Sequence, residues 1–425
     1  MSDAFSSVVA ERAQAGVVSR GATAERIRLV PKPGPRLVPP AVETPLAVEQ
    51  RLLRNMGDYE EAWADLSQRL LQENPFYTPA FAASAAQHLA DGRHVTAVLV
   101  WGGAQDARVL LGLFPVILPR AGIVPAAARL WQPPLMAFGV PLVDRDNAET
   151  VITAFLDHLG KRGLRGTAVL FPLLAEDGPF AVALRAVIGE TGRQTRVFGR
   201  HRRAILPASH NPGSFVTLQT VRKRKELRRQ LRRLEELDTV SFTRACDPVA
   251  VRDAVESFLA IEASGWKARA GTAILQHSGA VAFLRTMTRR MAHEGRCEVH
   301  VLTIGRRAIA AGIVLRSGNE AFFWKIAYDE AFARFSPGVQ LTLALSHVQL
   351  DDRTIAYTDS CAIANHPMID HLWRERLSIA DMLVGTRAGS SLAMRVLGQH
   401  EESRRKLRVV AKAVRCRIAG WFARG

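Results

Sequence analysis

Hydrophobic and polar positions follow two different periods along the chain, and each change of period predicts the end of one element of secondary structure. Near residue 230, leucines recur three or four positions apart, which places them on one face of a helix. These residues are Leu227, Leu231, Leu234 and Leu237. Arginines and lysines occupy most of the positions between them. Residues 222–237 are therefore predicted to form an amphipathic helix with a basic outer face.

Strand-like segments rich in β-branched and aromatic residues come later in the second half. They cover 298–304, 308–316 and 321–328. Short turns containing Gly305 and Gly318 separate them, and this pattern predicts an antiparallel meander. The elements expected after the meander are a helix, a short strand and a last helix, over 339–350, 354–358 and about 367–385.

The first half mixes the same two periods. Strands are expected at 95–101, 107–118 and 167–171, and helices at 148–159 and 181–191. The predicted fold class is α/β, with an α+β mixed sheet. Changes in composition divide the chain into a flexible Pro-rich segment 1–45, an N-terminal half 46–205, a C-terminal half 206–390 and a basic amphipathic tail 391–425.

The formal net charge of +17 is concentrated in two short segments. Residues 222–233 contain eight basic residues and one acid, and residues 404–424 contain eight basic residues and no acid. These segments contribute +7 and +8, which leaves +2 for the rest of the chain. The charge therefore indicates two basic helices and not a basic domain that binds nucleic acid over its whole surface.

Composition also argues against several classes of protein. The longest apolar run, 109–118, is too short to span a bilayer, and the N-terminus lacks the apolar core of a secretory signal. The cysteines at 246, 297, 361 and 416 show no C-x-x-C spacing, so neither a metal site nor a disulfide framework is expected. The sequence predicts a cytoplasmic protein that needs no metal.

A loop over 329–338 leads from the third strand of the predicted meander into the next helix. The first turn of a helix has unpaired amide groups and the positive end of the helix dipole, which suit phosphate groups. Proline fits the first helical turn, and glycine allows a ligand to approach the backbone closely. The candidate pyrophosphate-binding residues are Ser336, Pro337, Gly338 and Val339. A junction of this kind is common, however, and is more often only structural.

Three motifs in the second half resemble a known family. They read EASGWKARAGTA at 262–273, WKIAYDEAFARFSPG at 324–338 and TDSC at 358–361. Together with the basic segment before them, they resemble the bacterial CelD/BcsL-like (BioF-type) acyltransferases, which belong to the GNAT superfamily and are related to the FemABX peptidyltransferases. The resemblance covers 206–385 and is weaker over 46–200. It implies two tandem GNAT-like halves, the first of them degenerate.

The resemblance implies an N-acyltransferase that moves an acyl group from acetyl-CoA or another acyl-CoA to an amine. The acceptor would be a small molecule or a glycan- or lipid-linked amine, because relatives are associated with cellulose and exopolysaccharide production. The chain departs from the wider superfamily in lacking the Q/R-x-x-G-x-G/A phosphate signature, of which only Gly338 is present. Two alternatives stay open: a FemABX-like transferase that uses aminoacyl-tRNA, and a non-catalytic accessory protein of a polysaccharide-synthesis complex.

Acyl transfer to an amine requires a base and N–H donors near the thioester oxygen. Asp359 and Glu262 are the candidate catalytic residues, although Asp359 could instead cap a turn and Glu262 could end a solvated helix. The candidate substrate-binding residues are Trp266, Lys267, Lys325 and Asp329. Lys325 interrupts an apolar strand, where a buried lysine requires a partner. Tyr328 is three residues away on that strand, so the two side chains are expected on opposite faces. Cys361 is interpreted as small buried filler.

Each basic helix has two interpretations. The helix at 222–237 either binds RNA or turns a solvated basic face away from its leucine stripe. The segment 404–424 has apolar residues at helical spacing beside basic ones, which is typical of a helix at an anionic membrane surface. Alternatively, it docks on its own domain. Peripheral membrane contact is thus expected through 404–424 only, and nucleic acid only as tRNA under the aminoacyl-transfer alternative.

Overall fold

The computed structural model describes residues 46–104, 107–119, 127–161, 167–209, 221–389 and 392–422. The Pro-rich segment 1–45 lies outside the described residues. The remainder divides into two units. Unit A contains the described residues up to 201 together with those from 378 onward, and unit B contains those between 202 and 377. The chain thus enters unit B once and returns to unit A for its last segment.

Unit A contains a mixed sheet with helices. In chain order its elements are β1 Ala47–Leu52, α1 Glu60–Leu66, α2 Ser84–His88, β2 Thr96–Gly102, β3 Val109–Ile117, β4 Ala127–Leu130, β5 Leu142–Val143, α3 Ala148–Gly160, β6 Ala168–Ala175 and α4 Pro179–Thr191. Strands β1 to β4 pair antiparallel in sequence order, and β5 pairs with β3. Strand β6 lies parallel to β4. The strands and helices predicted for the first half are confirmed within a few residues.

Strand β7, Arg193–Pro207, leads the chain into unit B. The elements that follow are α5 Val221–Glu235, β8 Val240–Ala245, α6 Pro248–Ser264, α7 Trp266–Arg269, α8 Ser278–His293, β9 Cys297–Ile304, β10 Arg307–Ser317, β11 Glu320–Tyr328, a 3-10 helix Glu330–Phe335, α9 Pro337–Asp351 and β12 Tyr357–Asp359. Strands β8 to β11 pair antiparallel in sequence order. Strand β12 lies parallel to β11 and antiparallel to the end of β7.

The two units share one order of elements. In each, a strand is followed by helices, then by three antiparallel strands, a helix and a strand parallel to the last of the three. A parallel pair requires a crossover connection, and helices α3 and α9 supply it. The predicted fold class, a mixed α/β fold with two similar halves, is confirmed.

The meander of unit B forms where its turn residues predict. Gly305 has a φ of +53°, in the left-handed region, and a Cβ at that position would lie 2.2 Å from the Asp238 carboxylate. Glycine is therefore required at this turn for both conformation and space. The basic helix α5 is also confirmed. Its Leu227 and Leu234 are buried, whereas Leu237 is exposed because the helix has already ended at Glu235.

Two predicted elements are wrong. The helix expected over 367–385 is largely strand β13, Glu375–Ala388, which pairs antiparallel with β6 in unit A. Its register with β6 shifts between Ala380 and Met382, where two residues of β6 lie opposite Asp381, and the Asp381 carboxylate accepts a hydrogen bond from the Leu173 amide (2.7 Å). Most of β13 from Ile379 to Thr386 is buried, so the segment lacks the alternation of buried and exposed positions that identifies a strand in sequence. The short strand expected at 354–358 lies later, as β12.

The last helix of the described chain, α10, covers Leu392–Phe422. Its first turns belong to the core of unit A, where Met394 and Leu397 pack against Leu170 and Leu383. Arg405 pairs with Asp381 at 2.5 Å. None of the helices in the described part of the chain combines the length and apolar composition needed to cross a bilayer.

Candidate functional site

Strands β11 and β12 separate shortly after they meet. They pair at three positions only, the last of which joins Phe322 to Asp359. Strand β11 then continues to Tyr328, with Trp324 bulged out of its register with β10. A bulge bends its strand and re-aims nearby side chains. A gap therefore opens between the two strands beyond Phe322.

The chain beyond β12 turns away from β11. The Ser360 amide donates to the Ala204 carbonyl at 3.1 Å, on β7, and the following residue, Cys361, has a φ of +53°. This conformation is uncommon for a residue with a side chain and marks a tightly held turn. The chain beyond β12 therefore follows β7 and no longer pairs with β11.

The N-terminus of helix α9 lies at the far end of β11. Ser336 has left-handed backbone angles, φ 53° and ψ 49°, and its carbonyl accepts from the amides of Val339 and Gln340. Pro337 has no N–H, and the amide of Gly338 has no partner among the described residues. A Cβ placed on Gly338 would lie 3.4 Å from the Tyr328 ring. The predicted phosphate loop is therefore beside the end of β11, and one of its donors is free.

Asp329 holds the loop between β11 and α9. One carboxylate oxygen accepts from the Ala331 amide at 3.0 Å, and the other pairs with Arg307 at 2.6 Å. Arg307 also lies over the Phe332 ring, 5.1 Å from its centroid. Both oxygens of this predicted substrate-binding residue are thus engaged in shaping the loop.

Glu330 connects that loop with the segment around Trp266. Its Oε1 accepts from the Trp266 amide at 2.8 Å, and its Oε2 pairs with Arg269 at 2.6 Å. Gly265 makes this approach possible, since a Cβ there would lie 3.1 Å from the same carboxylate. Sequence analysis missed this role, because nothing distinguishes Glu330 from the neighbouring acid Asp329 until its partners are known. It ties the loop before α9 to short helix α7.

Glu262 lies on the last turn of helix α6, which begins where Asp247 caps the amides of Val249 and Ala250. The Glu262 carboxylate is buried, and its Oε1 accepts from Lys267 at 2.6 Å. Its Oε2 accepts from the Ile274 amide at 2.9 Å. Glu262 and Lys267 therefore form an ion pair. Trp266, between them in sequence, is 58% exposed.

Lys325 occupies β11 directly after the bulge. Its ammonium lies 5.4 Å from the centroid of the Trp324 ring, and within the described residues it has no hydrogen bond and no ion pair. Burial lowers its pKa to about 8, and the charge of Lys267 acts in the same direction. The charge of the Glu262 carboxylate opposes this shift.

Lys325 and Tyr328 face opposite sides of the strand, as their spacing predicts. Lys325 interacts with residues of α6 and α7, whereas Tyr328 and its neighbour Ile326 flank Gly338 at the start of α9. On one face of the sheet, the gap is thus bordered by Lys325, with Lys267 and Glu262 nearby. On the other face it is bordered by the N-terminus of helix α9.

Asp359 ends β12 and pairs with Arg203 on β7. Both side chains are almost fully buried, 1% and 2% exposed. The second carboxylate oxygen of Asp359 accepts from the Cys361 amide at 2.9 Å. Arg203 was not predicted as a site residue, because nothing in its local sequence distinguishes it from Arg202. Burial, followed by the charge of Asp359, raises the pKa of the Cys361 thiol, which is therefore neutral.

A series of hydrogen bonds between buried polar side chains reaches β12. Glu298 on β9 accepts hydrogen bonds from His300 at 3.1 Å and from Arg244 at 2.7 Å. Gln349 donates to the same carboxylate, and its own carbonyl oxygen accepts from Thr358 at 3.3 Å. These hydrogen bonds join four elements, β8, β9, α9 and β12, and end at Thr358, one residue before Asp359.

Comparison with known proteins agrees with this arrangement. Residues 221–352 match the family model described as an acetyltransferase (GNAT) domain. A search of curated protein sequences gives no match. These matched residues cover the meander, the loop and helix α9, but not β12.

Solved structures resemble this chain over most of its length. FemX superimposes with a TM-score of 0.51 at 9% identity, over 76% of this chain and 95% of that one. The C-terminal domain of a putative lysylphosphatidylglycerol synthetase from Agrobacterium fabrum gives 0.48 at 12% identity, over 80% and 94%. A tandem GNAT protein from the clavulanic acid biosynthesis pathway gives 0.38 at 14% identity, over 82% and 100%. The chain therefore shares the fold of FemX, and residues 221–352 of unit B resemble the GNAT acetyltransferase domain that the family model describes.

Proposed function

We propose that unit B transfers an acyl group from the thioester of acyl-CoA to an amine, by direct attack and without a covalent enzyme intermediate. The observation that carries the proposal is the gap between β11 and β12, which has the free Gly338 amide at the far end of one strand and Lys325 on the other face. A thioester in this gap would have its phosphates at the start of α9. The amine would approach from the side of α6 and α7.

The donor end suits a pyrophosphate. Ser336, Pro337, Gly338 and Val339 form the first turn of a helix long enough to have a full dipole. Helix α5 packs beside this turn, since Gln340 donates to the Leu227 carbonyl at 2.9 Å. Arg224, on the turn of α5 before Leu227, has a buried Nε without a hydrogen-bond partner in the described residues. We infer that Arg224 supplies a cation to the phosphates in place of the absent glycine-rich signature.

The acceptor end suits an amine. Glu262 and Lys267 form a pair beside Lys325, and Trp266 offers an exposed ring on the same segment. A carboxylate beside the gap attracts an ammonium group, while an aromatic face covers its apolar part. Asp359 has both oxygens bonded and supports the turn that shapes the gap, so its proposed role is to position the site. Asp329 acts in the same way on the phosphate loop.

The reaction needs no group outside the substrates and this chain. The neutral amine attacks the thioester carbonyl carbon, the C–N bond forms and the C–S bond breaks. Amide groups of β11 beyond Phe322 that point away from β10 would donate to the oxygen on which negative charge develops. The departing thiolate takes up a proton released by the amine nitrogen.

The physiological setting is part of the proposal. The sequence motifs resemble CelD/BcsL-like acyltransferases, which supports an acceptor of the cell envelope, such as an amino sugar or a lipid-linked amine. Helix α10 includes residues 404–422 of the basic segment, and peripheral contact with an anionic membrane would bring the site to such an acceptor.

Isothermal titration of the full-length protein with acetyl-CoA and longer acyl-CoAs tests the donor site. Gly338→Asp places a carboxylate among the phosphates and should abolish binding. Gly338→Ala should retain it, because its Cβ meets only ordinary contacts at 3.4 Å and beyond. Arg224→Gln should weaken binding at least tenfold. A folded protein that binds none of these donors would rule out the proposal.

The aminoacyl-tRNA alternative is favoured by one observation: the exposed basic face of α5 lies beside the same loop. Retention of tRNA with a steep dependence on salt would support it. Competition between tRNA and acyl-CoA for one site would show which donor the loop prefers. If acyl-CoA binds and tRNA does not displace it, the alternative is excluded.

A further inference from the structure

The proposed reaction has a requirement that the carboxylates of the site do not meet. An aliphatic amine is protonated at neutral pH and must lose a proton before it can attack. A base with a bonded lone pair is poorly placed to accept that proton. The best candidate base is therefore the ionisable group near the gap whose lone pair does not already accept a hydrogen bond.

Both predicted catalytic carboxylates are occupied. Glu262 accepts from Lys267 through one oxygen and from the Ile274 amide through the other. Asp359 accepts from Arg203 and from the Cys361 amide. Each carboxylate keeps further lone pairs, but its oxygens already stabilise a cation and a backbone amide, so a role as base would have to be shared with these structural bonds.

Lys325 differs from both. Its amine has neither a hydrogen bond nor an ion pair within the described part of the chain, although it follows a strand bulge, is only partly exposed and comes directly after four buried residues, 321–324. An ammonium that is largely shielded from water and has no carboxylate paired with it is disfavoured relative to the neutral amine. The neighbouring ammonium of Lys267 is already paired with Glu262 and adds repulsion to this preference.

We infer that Lys325 is the catalytic base of the proposed acyltransferase, and that it accepts the proton of the acceptor ammonium across the gap between β11 and β12. The inference rests on the proposed function. Lys267 is then a positioning residue whose charge helps to keep Lys325 neutral, and Glu262 holds Lys267 in place, although the charge of Glu262 itself acts in the opposite direction. Cys361 remains a neutral thiol at the end of β12.

The proton balance is complete without another reactant. The acceptor ammonium gives one proton to the Lys325 amine, and its nitrogen then forms a bond to the acyl carbon while the C–S bond breaks. The second proton of that nitrogen goes to the departing thiolate, which leaves as the free thiol. Lys325 finally releases its proton to water. A pKa near 8 is suited to this cycle because both forms are populated near neutral pH.

Competitive labelling of the full-length protein with trace acetic anhydride tests the ionisation of Lys325 without any assumption about function. The labelled peptide containing Lys325 is quantified by mass spectrometry from pH 6 to 11, against N-acetyl-lysine as internal standard. Half-maximal labelling is expected near pH 8, well below the standard, whose pKa is about 10.4. Labelling that follows the standard would overturn the inference even if acyl-CoA binds.

Transfer assays separate a base from a group that merely binds or packs. Release of CoA is followed with ethanolamine, which is protonated at pH 7, and with hydroxylamine, which is neutral. Lys325→Met and Lys325→Arg should lower transfer to ethanolamine at least 100-fold but transfer to hydroxylamine less than fivefold. The control Lys161→Met, an exposed position at the end of α3, should change neither. Equal losses with both nucleophiles, or full activity of Lys325→Arg, would overturn the inference.

The two proposals fail in distinguishable ways. If titration shows no acyl-CoA binding while Lys325 labels with a pKa near 8, the proposed donor is wrong. Lys325 would then have a low pKa but no role as base in acyl transfer from CoA. If acyl-CoA binds and wild-type transfer to ethanolamine does not rise between pH 6 and 8, the base assignment fails alone. A rise that levels off near pH 8 in the wild type and is absent from Lys325→Arg supports both.

Discussion

Arg203 and Asp359 form an ion pair within unit B although 156 residues separate them in sequence. Their side chains are 2% and 1% exposed, so the pair has almost no access to solvent. Such a pair contributes little net stability, but loss of one partner leaves the other charge buried alone. The pair joins the end of β7 to the end of β12 and fixes the turn at Cys361.

Removal of either partner is therefore expected to destabilise unit B strongly. Asp359→Asn and Arg203→Met should each lower the free energy of unfolding by about 3–5 kcal/mol. The double variant Arg203→Met with Asp359→Leu should recover much of that loss, because no buried charge remains. Chemical denaturation followed by fluorescence measures all three. Additive losses in the double variant would contradict a direct interaction.

Lys325 is expected to lower the stability of the protein for the reason that makes it suited to catalysis. Its pKa falls from 10.5 to about 8 in the folded state, so the folded form disfavours the ammonium. This cost is fully present below pH 8, diminishes as the pH rises from 8 to 10.5 and is absent above that range. Lys325→Met should therefore raise the free energy of unfolding at pH 7 by up to about 3 kcal/mol.

Thermal unfolding of Lys325→Met and wild type across pH 7 to 10.5 checks this sign. The difference in Tm should be largest at pH 7 and shrink towards pH 10.5. A variant that is less stable than wild type at pH 7 would mean that the lost contact with Trp324 outweighs the relief of the buried charge.

Local sequence patterns predicted the elements whose contacts are local. The meander of unit B, helix α9 and the leucine stripe of α5 all follow from spacing and turn residues within short segments. Strand β13 was not predicted, because most of its residues from Ile379 to Thr386 are buried. A strand that is buried on both faces shows no alternation of polar and apolar positions, so its sequence is hard to distinguish from that of a buried helix.

Residues of the candidate site also differ in whether their local sequence makes them conspicuous. Glu262, Lys267 and Lys325 were identified because each departs from its surroundings, as an acid in a conspicuous motif or a lysine in an apolar strand. Arg203 and Glu330 were missed, because a basic residue among arginines and an acid in a polar loop look ordinary until their partners are known. The TDSC motif made Asp359 a candidate, but the motif does not show what its carboxylate binds. One oxygen accepts from Arg203, which is distant in sequence, and the other accepts from the amide of Cys361 in the following turn.

Glu298 is expected to make the protein sensitive to acid. Burial alone would raise its pKa, but the hydrogen bond and charge of His300, together with Arg244, lower it from 4.5 to about 2. The stabilisation is therefore fully present above pH 4.5 and is lost as the pH falls from 4.5 to about 2. Its full size is about 3 kcal/mol.

Glu298→Gln should lower stability at pH 7 and flatten the dependence of stability on pH between 4.5 and 2. Urea denaturation at several pH values measures both effects. Asp253→Asn, an exposed carboxylate on α6, serves as control and should leave the slope unchanged. An unchanged slope in Glu298→Gln would mean that other carboxylates dominate acid unfolding.

Glu330 is expected to control how rigidly the segment around Trp266 is held. Its carboxylate accepts from the Trp266 amide and pairs with Arg269, and both bonds are lost in Glu330→Ala. Because the carboxylate is near the surface, global stability should change little. Hydrogen exchange of a peptide covering 265–272 should become faster at pH 7, while exchange in β9 and β10 stays the same.

The same variant tests whether the connection matters for the acceptor. Since Glu330 joins the phosphate loop to the acceptor segment, Glu330→Ala should raise the KM for the amine more than the dissociation constant for acyl-CoA. Glu294→Ala, an acid whose partner Arg296 is two residues away, provides a matched control. Faster exchange with an unchanged KM would show that the 265–272 segment is held by Glu330 but is not used by the acceptor. The acceptor would then have to approach Lys325 without contact with Trp266.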